Sequence, residues 1–343
     1  MQTIHLHPPY QVNQIIDEDV VLALGFFDGV HKGHQEVIKE ARRIADEKGV
    51  KLALMSFNRH PAVVFERFTD LNLSYLSTPE QKEKLVAYFG VDILYQVDFT
   101  SKFGALKPQE FVDQYIVGLN AVTVVAGSDY TYGKKEVASI EHLPKYAKDR
   151  FEVVSVDTAY IEDNKIASSQ IKEEVKNGAI SLVNKKLGYC YSTPGFVING
   201  ESRGREMGYP TANIQVEYPI TIPNVGIYAV KMTVEGKTYS GMASIGYNLT
   251  FGELSTPSIE VNIFDFNEYI YGENVIVHWI EFMRDEVKFE SMDALIEQLE
   301  EDEVVKNALG ENVFNQFYKI KRAEWDAYRI QVFDYERNQY LDV

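Results

Sequence analysis

The sequence predicts an α/β chain in two parts: a parallel-sheet domain first, then a small antiparallel β-barrel with C-terminal helices. Three observations predict it. In the first half, the short apolar runs VVLALGFF, KLALMSF, DILYQVDF, AVTVVAG and FEVVSVDTAYI alternate with longer amphipathic stretches, as in a parallel sheet covered by helices. After Ser181 the texture changes. VNKKLGYCYSTPGFVING carries Gly, Pro and Ser punctuation, and the Val, Ile, Tyr and Phe runs beyond it are separated by turn residues, as in a small barrel. Helical spacing returns in SMDALIEQLEEDEVVKNAL, where Ser291 is placed to cap the start and the acidic run reads as a solvated face.

Each element follows in order. Val37, Ile38, Ala41, Ile44 and Ala45 recur at helical spacing before the Lys48-Gly49 stop, so a helix follows HKGH directly. VGIYAVKMTV, KTYSGMASIG, SIEVNIFDF and NVIVHWIEFM are the clearest barrel strands, with Glu235-Gly236 as a tight hairpin connection between the first pair. A length of 343 residues with 45% hydrophobic content supports a sizeable core, and about 150 residues per domain favours two domains. The boundaries read as 1–180, 181–309 and an extension, 310–343, whose aromatic content predicts a packed helix or an interface.

Composition narrows the function classes. Lys and Arg number 34 against 51 Asp and Glu, a net charge of −17, which opposes broad capture of nucleic acid or anionic membrane. A phosphate ligand therefore needs a local site. The single cysteine, Cys190, excludes an intrachain disulfide framework and a cysteine-based metal cluster, so a reducing cytosol is the simplest compartment. MQTIHLHPPY has no basic stretch followed by an apolar region, and no apolar run approaches ~18 residues, so the expectation is a cytoplasmic chain without a membrane span.

The stretch ALGFFDGVHKGHQEVI, residues 23–38, carries the chemistry. It ends the first strand of that alternation and opens the next helix, where unpaired N–H groups and the helix dipole favour an anion. Ligands of open α/β sheets bind at such strand ends. Gly29 and Gly33 permit close backbone approach, while His31 and His34 can donate to phosphate oxygens whose charge grows during transfer. A histidine pair alone at a helix start is most often structural or solvated, and no third ligand for a metal is obvious nearby. The combination of strand, Gly-bearing turn and HxGH is more specific. No Walker loop, GxGxxG after a strand, or HExxH competes with it.

GFFDGVHKGHQ resembles the opening of the bacterial bifunctional riboflavin kinase and FMN adenylyltransferase family, the prokaryotic FAD synthetases. The resemblance implies a Rossmann-like HxGH nucleotidyltransferase domain, residues 1–180, followed by a β-barrel riboflavin kinase domain, 181–309. Further motifs appear in the family's order. AGSDYTYG is similar to its Gly-bearing turn, with Gly127, Asp129, Tyr130, Tyr132 and Gly133; by itself this would be an ordinary tyrosine loop. ASSQIKEEV resembles its serine-rich motif, placing Ser168 and Ser169 at a helix N-terminus and Lys172 a turn later; a plain helix cap is the simpler reading. Gly25, Phe27, Asp28, Gly29, Gly33, Asp129, Ser168, Ser169 and Lys172 are thereby expected to bind ATP and its phosphates around His31 and His34.

In the second part, RGREMGYPTANI resembles the riboflavin kinase signature. Thr211 and Asn213 alternate on an extended segment and so point to one side, as oxygen ligands or hydrogen-bond partners. The resemblance assigns them to magnesium with ATP. It adds Gly204, Arg205, Gly208, Pro210 and Asn248 as ATP- or flavin-binding residues. Glu260, in the apolar run SIEVNIFDF, is by resemblance the base that accepts the proton of the ribityl 5′-hydroxyl. From position alone a barrel-rim carboxylate paired to Arg or Lys is an equal reading.

The implied chemistry is phosphorylation of riboflavin to FMN, then adenylylation of FMN to FAD with release of pyrophosphate. ATP and magnesium serve both steps, and flavins are substrates and products. The implied partners are these small molecules, for a monomer or transient homo-oligomer. Asn58 and Arg59 depart from the family's Asp-Pro-His-Pro, and Lys172 stands where Arg is usual. Retention of one activity, the kinase before the adenylyltransferase, and a non-catalytic flavin or nucleotide sensor are the alternatives.

Overall fold

The computed structural model describes residues 1–65, 74–161, 164–200, 210–246 and 257–285, and the backbone of 331–334 and 339–342. These divide into two compact units. The first is built on Met1–Glu173 and takes in Tyr218–Thr221; the second begins at Glu174. The sequence boundary stood at 180/181. The division falls earlier because Glu174 belongs with the second unit, where its Oε1 accepts from the fully buried Lys186 Nζ at 2.5 Å.

The first unit is a six-stranded parallel sheet of β1 (Gln2–Leu6), β2 (Val20–Leu24), β3 (Lys51–Phe57), β4 (Ile93–Val97), β5 (Ala121–Gly127) and β6 (Glu152–Val156). Their spatial order is β1-β4-β3-β2-β5-β6. Every residue of β2 is buried, as its unbroken apolar run requires for a strand covered on both faces. The chain moves outward from β2 through β3 to β4 on one side and through β5 to β6 on the other. The switch point therefore lies at the C-terminal ends of β2 and β5, the place where such sheets bind ligands.

Helix α1, Lys32–Lys48, lies directly after β2 and its turn. His31 caps it, its Nδ1 accepting from the His34 amide at 3.2 Å, and Gly49 ends it in the left-handed region at φ 67°. Val37, Ile38, Ala41, Ile44 and Ala45 are its buried face, the face predicted from their spacing. Helix α2, Pro79–Tyr88, starts with a capping box, in which the Thr78 side chain accepts from the Gln81 amide and Gln81 from the Thr78 amide. A short antiparallel pair, β7 (Tyr160–Ile161) and β8 (Asn164–Lys165), precedes helices α3, Ser168–Lys176, and α4, Ile180–Leu187.

The second unit contains a closed barrel. β9 (Ser192–Ile198), β10 (Thr211–Gln215), β11 (Gly226–Val234), β12 (Lys237–Gly246), β13 (Ser258–Ile263) and β14 (Asn274–Arg284) close in the order β10-β13-β12-β11-β14-β9. Glu235 and Gly236 join β11 to β12 at φ 49° and 73°, the backbone a two-residue hairpin needs to match strand twist. Trp279 is fully buried, and its Nε1–H donates to Thr193 Oγ1 at 2.9 Å, so a large ring fills the interior without an orphaned polar atom.

Of the extension expected to be helical, the described backbone forms two paired strands, Gln331–Asp334 and Gln339–Asp342. In QVFDYERNQYLD the β-forming pairs Val332-Phe333 and Tyr340-Leu341 stand either side of the polar run Glu336-Arg337-Asn338, an order that suits two short strands better than one helix. The expected helix at 291–309 lies outside the described residues. At Gly195 a Cβ would meet Gln215 O at 2.5 Å and Ile214 Cγ2 at 2.8 Å. Gly195→Ala should therefore destabilise the barrel by about 1–3 kcal/mol through overpacking, read as a lower urea midpoint of the second unit with the first unchanged.

Candidate functional site

The site in the first unit is built on a turn with unusual backbone. Phe27 and Val30 have φ of 54° and 38°, and Gly29 has 72°. Side chains at positive φ are strained, so the surroundings must hold this turn in place. Gly25 makes room for it, since a Cβ there would lie 2.9 Å from the Phe27 ring. Asp28 is the main anchor. Its Oδ1 accepts from the amides of Leu76 at 2.8 Å and Ser77 at 3.3 Å, and the Gly29 amide donates to Ser77 Oγ at 3.0 Å. Tyr75, beside them, is fixed in turn by Pro219 O at 2.8 Å and by the Thr221 amide at 2.7 Å.

Helix α3 approaches the same turn. Ser168 Oγ donates to Asp28 O at 3.0 Å, with Ser169 beside it in the first turn of the helix. Lys172 Nζ donates to Ser74 O at 3.1 Å and lies 3.7 Å from Asp28 Oδ2. Phe27 and Asp28, expected at the ATP site, are each residues with 1% exposure, and the Asp28 carboxylate is engaged in shaping the turn. Lys172 was aimed at the triphosphate and is turned toward Asp28 and Ser74. Burial pushes the Asp28 carboxyl above the usual carboxylate range, against the pull of Lys172, Lys82 and the two amides.

His31 and His34 stand together, their rings stacked 3.6 Å apart at 13°. Burial pushes His31 down to about 4 and, with His31 and Lys82 adding repulsion, holds His34 well below the usual histidine range. Both rings are neutral at pH 7. Because His31 Nδ1 accepts the His34 amide, the proton of the neutral ring sits on Nε2, which is left as a donor. Gly33 keeps the helix start open beside them; a Cβ there would touch the His31 ring at 3.2 Å.

From the other side of the switch point, Asp129 follows β5 and acts on His31, raising its proton affinity. Lys165 Nζ pairs with Asp129 Oδ2 at 2.6 Å. Tyr130 packs toward Tyr132, which stacks on Phe111 at 5.0 Å; burial raises both phenols. Asn58 and Arg59 do not replace the missing phosphate-side groups equally. Asn58 Nδ2 donates to Asp98 Oδ1 at 2.7 Å and its Oδ1 accepts from the Phe99 amide at 3.0 Å, so it ties β3 to β4, while Arg59 is exposed.

Lys82 was missed by sequence reading. It is buried on α2, and its Nζ donates to Phe26 O at 3.1 Å, Ser56 Oγ at 3.1 Å and Phe57 O at 3.3 Å. A signal existed: Lys82, Leu85 and Val86 are spaced i, i+3, i+4, and all three are buried.

In the second unit, β13 alternates. Ile259, Val261 and Ile263 are buried, and Glu260 lies with Ser258 and Asn262 on the opposite, half-buried face. The apolar run therefore surrounds Glu260 in sequence without enclosing it. Thr211 and Asn213 share one face of β10, as predicted, and Asn213 is the cross-strand partner of Glu260. Thr211 Oγ1 donates to Glu260 Oε2 at 3.2 Å. Gly200 approaches Asn213 closely; a Cβ there would lie 2.1 Å from its amide nitrogen. A groove beside Thr211 is lined by Pro210, Val261, Phe266, Tyr269 and Tyr271. Gly204, Arg205, Gly208 and Asn248 lie outside the described residues.

Fold and sites define an enzyme class: a nucleotide-binding α/β unit and a β-barrel unit that each present polar groups for phosphorus transfer. The FAD synthetase family model matches residues 13–170 and the riboflavin kinase model residues 187–309. The chain belongs to the bifunctional riboflavin kinase/FMN adenylyltransferase family. A relative of that name from Listeria monocytogenes is 48% identical over 303 residues, 88% of this chain and 96% of the relative. One from Bacillus subtilis is 42% identical over 305 residues, 88% and 96% of the two chains. The crystal structure of a macrolide-efflux protein from Streptococcus pneumoniae is 37% identical with a TM-score of 0.83, covering 89% of this chain and 98% of that one. Among the described residues no helix is long and apolar enough to cross a membrane.

The neutrality of His31 has a direct check. In a proton NMR titration its ring should change protonation near pH 4, leaving the rate of the first unit's reaction without an inflection at ~6.5, the ordinary histidine value.

Proposed function

We propose that this chain makes FAD from riboflavin in two ATP-dependent steps. The kinase step transfers the γ-phosphoryl group of ATP to the ribityl 5′-hydroxyl in the second unit. The adenylyltransferase step joins the FMN phosphate to the α-phosphorus of ATP in the first, releasing pyrophosphate. The observation that carries this reading is that each set of motifs closes on a site of its own: His31 and His34 stacked at the sheet's switch point, and Thr211, Asn213 and Glu260 on one barrel face.

In the first unit, the chemistry needs donors at oxygens that gain charge as pyrophosphate leaves. The His31 Nε2–H is such a donor, and a neutral ring donates without having to be reprotonated in each cycle. His34, stacked against it, stands at the same helix start. Gly29, Gly33 and the first amides of α1 offer a backbone cradle, and Asp129, Ser168 and Ser169 border it. Gly25, Phe27, Asp28 and Lys172 act behind the cradle, as the holders of its shape.

In the second unit, Glu260 is placed to take the hydroxyl proton as that oxygen attacks. Thr211 and Asn213 supply side-chain oxygens on the same face, a hard donor set that fits magnesium. Bound there, the ion would neutralise charge on the ATP phosphates. Pro210 and the aromatic groove suit a flat ring, and Gly204, Arg205, Gly208 and Asn248 complete the binding set by family membership. ATP as donor for both steps supports a cytoplasmic setting.

Separation of products tests the reading. Riboflavin with ATP should give FMN and then FAD; FMN alone as product would leave only the kinase, and binding without turnover would make the chain a sensor. Glu260→Gln should lower FMN formation by about 100-fold or more while FAD formation from added FMN continues at the parental rate. Equal loss of both activities would contradict separate sites.

A further inference from the structure

We propose that Lys82 is a positioning residue for adenylyl transfer: its ammonium ties the C-terminal ends of β2 and β3 together and so fixes the turn that presents His31 and His34. The inference rests on the reading that the first unit adenylylates FMN. Phe57 is the last residue of β3 and Phe26 lies just beyond β2. One ammonium bonds the carbonyls of both, at 3.3 and 3.1 Å, with its third donor on Ser56 Oγ at 3.1 Å. The donors of a lysine are thereby all used. The ammonium also sits 4.5 Å from the centroid of the Phe26 ring, an added attraction.

The grip is two-sided. Immediately before α2, Leu76 and Ser77 offer their amides to Asp28; one turn into the helix, Lys82 reaches Phe26. A single helix start therefore holds the residues on both sides of Phe27, at the point where the backbone enters positive φ. The groups facing Lys82 are Asp28 from the turn and His34 from α1, with Lys172 of α3 beyond Asp28.

Stability alone does not explain a lysine here. Burial pushes its ammonium down to about 8, so the fold works against the charge at this place. Ser56 Oγ already donates to Phe26 O at 2.8 Å, so that carbonyl keeps a partner without Lys82. What the ammonium adds is a fixed distance between two strand ends that bear the active turn.

The test compares the full chain with Lys82→Met, measuring FAD formation from FMN and ATP. At pH 7 the variant should lose about 100-fold in kcat, the scale of a displaced reacting group, with KM for ATP near the parental value. Riboflavin phosphorylation by the second unit should be unchanged. In the parent, adenylylation should decline as pH rises through about 8, because Lys82 loses a proton there; the residual activity of Lys82→Met should lack that limb. Adenylylation at the parental rate would overturn the proposal. So would loss accompanied by a lower urea midpoint of the first unit, or a variant that keeps the alkaline limb. A parent that makes no FAD from FMN overturns the underlying reading as well, whereas a loss seen only in the variant bears on Lys82 alone.

Discussion

The buried carboxylate of Asp28 is the constraint on which the first site depends. Three features of the turn are adverse on their own: Phe27 and Val30 at positive φ, and the charge-bearing residue Asp28 with 1% exposure. Two amides from the segment before α2 compensate the carboxylate on one side and Lys172 approaches it on the other. Oδ1 is bound from two amides while Oδ2 is buried with no hydrogen bond among the described residues and the Lys172 charge 3.7 Å away, and such a buried group tolerates few arrangements of its surroundings. The histidines inherit this constraint, since His31 caps α1 only three residues later and His34 donates its amide back to His31.

In the function proposed above, the two units meet the need for phosphorus chemistry by different physics. The first uses neutral donors at a helix start, where burial keeps His31 and His34 uncharged and the tautomer of His31 is set by its role as cap. The second uses oxygen groups on the half-buried face of a closed barrel, where a carboxylate, a hydroxyl and an amide share two adjacent strands. In both, regular structure supplies the precision. Antiparallel register puts Asn213 opposite Glu260, and the sheet's switch point puts Asp129 within electrostatic reach of His31.

Much of this was legible in the sequence because periodicity reports burial. The unbroken run VVLAL marked a strand covered on both faces, the spacing of Val37, Ile38, Ala41, Ile44 and Ala45 marked the buried face of α1, and alternation marked Thr211 and Asn213 as neighbours on one face. Motifs located the histidines. What periodicity does not report is the direction in which a polar side chain in a turn points. Asp28 and Lys172 read as phosphate ligands from their company in the sequence, whereas tertiary partners 48 to 98 residues away turn them inward. Glu260 has apolar neighbours in sequence, yet strand alternation sends it to the face opposite Ile259 and Val261, which position in the apolar run alone does not report. Lys82 was hidden by its type, for a lysine on a helix is ordinarily solvated.

The dependence on Asp28 can be measured directly. Asp28→Asn keeps an acceptor for the Leu76 and Ser77 amides and removes the charge that faces Lys172 and Lys82. FAD formation from FMN and ATP should fall by about 100-fold, the cost of a reacting group displaced by an ångström or so, while the same preparation phosphorylates riboflavin at the parental rate. Adenylylation by Asp28→Asn at the parental rate would contradict the view that this carboxylate shapes the site.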